Sequence, residues 1–91
     1  MATSMIVDMP TLLRIGPHTF FIVLHDCAER RHVHVKGGGR GEAKYWLDPV
    51  VEQAATRGYT GRELSRLERQ IRDHRGALVR RWDEACEGEL K

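Results

Sequence analysis

His32-Val33-His34-Val35-Lys36 alternates imidazole and valine. Successive side chains of a strand point to opposite faces, so this stretch presents two histidines on one side and two valines on the other. Val33 and Val35 are the better core residues. The valine face is therefore expected to pack inward and the histidine face to point away from it. An open, one-sided face of that kind suits a ligand, a partner or a nucleic-acid strand.

Outward from this strand the chain punctuates itself. Gly37-Gly38-Gly39-Arg40-Gly41 reads as a loose hairpin loop leading to a strand from Glu42 to Asp48, in which Tyr45 and Trp46 are large β-formers. Upstream, residues 25–31 form a polar connection. Before it, residues 11–24 read as a hairpin turning at Gly16-Pro17, with His18 at its surface. Downstream the period changes. Asp48 is a good N-cap and Pro49 suits a first helical position, which predicts a short helix over 49–57 ended by Gly58. Thr60 and Glu63 have the spacing of a capping box. They open a long helix over 61–86 whose stripe is Leu64, Leu67, Ile71, His74, Leu78, Trp82 and Ala85. Arg62, Arg66, Arg69 and Arg80 lie opposite, interrupted by Asp73 and Glu84, as on a solvated face.

These readings combine into an α+β fold: a four-stranded antiparallel meander sheet followed by a short helix and a long C-terminal helix packed on one sheet face. Residues 1–8 are expected to be a tail, 9–87 a single domain and 88–91 a second tail. With 91 residues the core is thin. At 41% hydrophobic and 31% charged residues the chain is globular rather than disordered, and a net charge of +2 does not demand a nucleic-acid partner. Arginine dominates the basic residues, which favours phosphate or carboxylate recognition. Cys27 and Cys86 match no metal spacing and read as free thiols of a cytoplasmic protein. No apolar run is long enough to cross a bilayer, and no secretory leader is apparent.

The chemistry is expected on the histidine face. His32 and His34 can act as acid and base for phosphodiester cleavage. Arg30, Arg31, Lys36, Arg40, Lys44 and Trp46 then supply contacts to an RNA substrate. The same two imidazoles can also ligate one divalent metal, with His74 as the candidate third ligand if the long helix brings it across. Taken alone, His74 reads as a core histidine with satisfied nitrogens. A non-catalytic alternative is an interaction module that binds a small partner protein through the sheet edge or around Trp46. The glycine loop with Arg40 is not a P-loop, because no GK[ST] follows and no helix starts from it.

The order of the pieces resembles the domain of unknown function 4160 family of small bacterial proteins. The likeness is carried by Met9-Pro10-Thr11, Phe20-Phe21, His32 to Val35, Glu42 to Pro49, Gly58-Tyr59, Glu63-Leu64, His74, Leu78 and Trp82. The chain departs from it at Arg30-Arg31, where family members usually carry two prolines. The resemblance implies an α+β fold and a bacterial, cytosolic protein. It also implies a toxin–antitoxin arrangement with a small partner protein encoded nearby, and it assigns no activity to any residue.

Overall fold

The Gly16-Pro17 punctuation makes the first hairpin: β1 (Thr11–Ile15) turns into β2 (His18–Phe21). This is a computed structural model, and it describes residues 9–90. The expected tail over 1–8, and Lys91 of the expected C-terminal tail, lie outside the described residues. After β2 a 3-10 turn (Leu24–Ala28) leads to β3 (His32–Gly37), β4 (Glu42–Trp46) and β5 (Glu52–Arg57). Two helices complete the chain, α1 (Gly61–Asp73) and α2 (Arg75–Leu90). The strands form one antiparallel meander in the order β1-β2-β3-β4-β5.

The sheet therefore has five strands, not four, and β5 stands where a short helix was expected over 49–57. The reason is local. Asp48 does not cap a helix, because its carboxylate accepts from Arg31 and Arg75 at 2.8 Å each. The free edge of β4 offers backbone partners to the segment that follows, and the Thr56 hydroxyl donates to the Glu42 carbonyl. All six residues of β5 are exposed, so no apolar alternation marked it as a strand.

Val33 and Val35 pack inward with Phe20, Ala43 and Tyr45, as the alternation requires, against Leu67, Ile71 and Leu78 of the helices. The Tyr45 hydroxyl donates to the Leu64 carbonyl, which ties β4 to α1. The capping box at Thr60 and Glu63 is formed in both directions. Thr60→Ala is expected to cost about 1 kcal/mol, read as a lower urea midpoint at unchanged slope.

The expected long helix is broken at His74 (φ −112°, ψ 14°). The His74 ring Nδ1–H donates to the Gln70 carbonyl, and the backbone N–H of His74 divides between Gln70 and Ile71. A side chain competing for a helical carbonyl in this way bends the helix. Beyond the break, α2 packs on β1 and on the 3-10 turn.

The cysteines are not free: Cys27 of the turn and Cys86 of α2 form a disulfide with Cα atoms 5.5 Å apart. Free thiols were one ground for placing the chain in the cytoplasm, and that ground is removed. No described helix is long and apolar enough to cross a membrane.

The glycine loop is strapped down. The Tyr59 ring lies against Gly41, leaving no room for a Cβ there, and its hydroxyl donates to the Gly37 carbonyl at 2.9 Å. Gly37 has φ +114° and backs onto the Pro17 carbonyl, so no other residue fits.

Candidate metal centre

The register across the sheet sets what stands beside the histidines. Phe21, His34, Lys44 and Ala55 form one row, and His32 pairs with Trp46 in the next. His32 and His34 do lie on the face opposite the valines. That face is not open at His32, however, which is fully buried. Its ring meets the edges of Trp46 at 5.6 Å and Trp82 at 6.4 Å, while His34 stacks on Phe21 at 5.4 Å.

The remaining cover is the segment read from sequence as a polar connection. The 3-10 turn buries Cys27 and brings Asp26 over both imidazoles. Nε2 of His32 and Nε2 of His34 each lie 3.3 Å from the same oxygen, Asp26 Oδ2. All three ligand atoms fall within 4.8 Å of one another, the one such group of three among the described residues.

The protons at this site can be assigned from its partners. His32 Nδ1 lies 2.7 Å from the Arg30 carbonyl, which can only accept, so Nδ1 carries the hydrogen. In the neutral ring Nε2 then holds a lone pair aimed at a carboxylate oxygen. Two acceptors then face each other unless a proton or a metal ion lies between them. Burial pushes the Asp26 carboxyl up, but the bonds and charges of His34 and His32 outweigh it and hold the group below the usual carboxylate range. Burial pushes the His34 ring down, more than its bond to Asp26 raises it. Near neutral pH the site thus offers an ionised carboxylate and a neutral His34, the forms in which these groups bind metals.

The other expected site residues have separate fates. Arg31 is held by Asp83 at 2.7 and 3.0 Å and by Asp48 at 2.8 Å, joining the start of β3 to the end of β4 and to α2. Those carboxylates raise its already high pKa further. The Arg30 guanidinium and the Lys44 ammonium lie over the Trp46 ring at 4.1 and 4.7 Å, and Lys44 also pairs with Glu29 at 3.0 Å. Lys36 lies over Phe21 at 5.1 Å. Arg40 is exposed in the glycine loop. His74 is half-buried at the helix break, bonded to Gln70, and is not in the cluster. His18 is half-buried, edge-on to Tyr59, rather than a surface residue. A groove of about 320 Å³ opens beside His34, lined by Lys44, Ala55, Thr56 and Arg57 among others.

Sequence reasoning missed Asp26. The signal available was a carboxylate six residues before a buried-to-be histidine, in a connection too long to be a hairpin turn.

The family described as Domain of unknown function (DUF4160) matches residues 18–83. The chain belongs to the DUF4160 family. The matched span contains Asp26, His32 and His34 together with the five aromatic and basic residues packed around them, Phe21, Arg30, Lys44, Trp46 and Trp82. No curated protein and no solved structure matches the chain. The DUF4160 description names no activity, so the chemistry of the centre rests on its geometry.

Proposed function

We propose that this protein is a metal-binding domain that holds one zinc-class divalent ion on Asp26, His32 and His34. The observation that carries this reading is the pair of 3.3 Å separations onto one carboxylate oxygen. A charge-assisted N–H···O bond is shorter, about 2.7–2.9 Å. Donors around a tetrahedral ion with bonds of about 2.0–2.1 Å stand roughly 3.3–3.4 Å apart. Adjacent donors of an octahedral ion with similar bonds would stand about 2.9 Å apart. His32 also donates from its other nitrogen to the Arg30 carbonyl, the usual way a ligating imidazole is fixed. Three protein ligands leave a coordination position for water or a substrate group. His34 and Asp26, each about a quarter exposed, are the ligands nearest solvent.

Zinc added to metal-free protein at 100 times its dissociation constant is expected to stabilise the fold by about 2.7 kcal/mol. For a domain of this size that is a rise of roughly 10–20 °C in the melting temperature, read by differential scanning fluorimetry. An unchanged melting curve would leave His32 and Asp26 as a proton-bridged structural pair and end the metal reading.

RNA binding on the same face is a second reading, supported by the cations Arg30, Lys36 and Lys44 on the side of His34. Each already lies over an aromatic ring, and Arg31 is engaged by two carboxylates. A polyanion would have to displace these contacts, so this reading ranks second.

A further inference from the structure

The three ligands do not stand on equal supports. His32 and His34 belong to β3, which is paired on both sides. Asp26 belongs to a five-residue 3-10 turn whose backbone bonds, from Asp26 to Val23 and from Glu29 to Asp26, are all local. The covalent tie from the turn to the helices is made by the residue next to Asp26. Cys27 is 5% exposed, and its sulfur is bonded to Cys86 of α2, which is 2% exposed. Besides Asp26 itself, Leu24 packs against the core and Glu29 pairs with Lys44 at the surface. The cations beside His34 are paired with carboxylates, Lys44 with Glu29 and Arg57 with Glu42, so the groove does not select a substrate class.

Resting on the metal reading above, we propose that the Cys27–Cys86 disulfide controls the metal affinity of the Asp26, His32 and His34 centre. Oxidised, the bond holds Asp26 over the imidazoles. A dithiol reductant cleaves it: two electrons and two protons convert the S–S bond into two cysteine thiols, and the reductant's two thiols become its own disulfide. The turn then keeps its local bonds, the packing of Leu24 and its surface ion pair but loses its covalent tie, and one of three ligands is held less firmly in position. Loss of support to a metal ligand typically lowers affinity about 10–100-fold. The coupling is reciprocal: a bound ion opposes reduction of the disulfide by the same factor. Both sulfurs are buried, so the reductant acts through local opening of the turn or of the end of α2.

The test is Co2+ binding, followed by its visible absorption, to the oxidised protein, the protein reduced with dithiothreitol and freed of it anaerobically, and Cys27→Ser/Cys86→Ser. Reduction is expected to weaken Co2+ binding about 10–100-fold. The double-serine protein is expected to bind at the reduced level and to ignore the reductant. Asp26→Asn separates this from general loosening of the fold: reduction should change its Co2+ affinity less than about twofold, since the coupled ligand is already lost. An equal fall in Asp26→Asn and in the unsubstituted protein would overturn the proposal. So would equal affinity in the oxidised and reduced states, or a thiolate-to-cobalt band in the reduced protein, which would mean that freed Cys27 had become a ligand. An oxidised protein that takes up no Co2+ at all would instead reject the metal centre itself, and the coupling with it.

Discussion

His32→Ala is expected to abolish specific zinc binding and to destabilise the metal-free fold by about 2–4 kcal/mol. The ring is fully buried, so its removal leaves a cavity among Trp46, Trp82 and the 3-10 turn. It also leaves the Arg30 carbonyl and the Asp26 carboxylate short of a partner. The two effects are separable. Stability is read by urea denaturation without metal, and affinity by competition against a chromophoric chelator. Zinc affinity should fall by at least the 10–100-fold that loss of a supporting contact alone produces. His74→Ala should leave zinc affinity unchanged, because His74 sits at the helix break and outside the cluster. A fall in zinc affinity in His74→Ala as well would make His74 a ligand beside His32 and His34, the set that the sequence alone allowed.

The second large effect is that of the disulfide on stability. Cys27 and Cys86 are 59 residues apart, and closing a loop of that length restricts the unfolded chain by about 4 kcal/mol in the chain-entropy account. Domains of this size are stable by only about 5–15 kcal/mol, so the bond is a large share of the whole. Cys27→Ser/Cys86→Ser is expected to lower the urea midpoint accordingly and to render it insensitive to reductant. If the midpoint of the unsubstituted protein is the same with and without dithiothreitol, the bond contributes nothing to the fold.

The parts of this molecule that were legible in the sequence are those where one residue pattern has one structural meaning. The alternation of His32 to Val35 fixed the strand and the inward face. The Thr60 and Glu63 spacing fixed the start of α1. Elsewhere a local signal was outvoted by a distant partner. Glu52 to Arg57 contains good helix formers after an apparent cap, yet the open edge of β4 and the arginines that take Asp48 make it a strand. The His74 stripe keeps a helical period across a break made by the His74 side chain itself. The histidine face was expected to be open, since nothing in residues 25–31 announces that the turn folds back over it. Asp26 and Cys27 acquire their partners only from residues six to 59 positions away, so the metal reading was available from His32 and His34 while the third residue of the cluster was not.

The disulfide also changes what kind of object the chain is. Between Cys27 and Cys86 lie β3, β4, β5, α1 and the greater part of α2. The molecule is thus a covalent ring, with β1 and β2 as one short arm and the last turn of α2 as the other. A single backbone cut in the exposed β5, or in the glycine loop, opens the ring without parting it. The histidines stay linked to the turn that carries Asp26 through the unbroken chain, and the piece beyond the cut stays joined to that turn through the sulfur bridge.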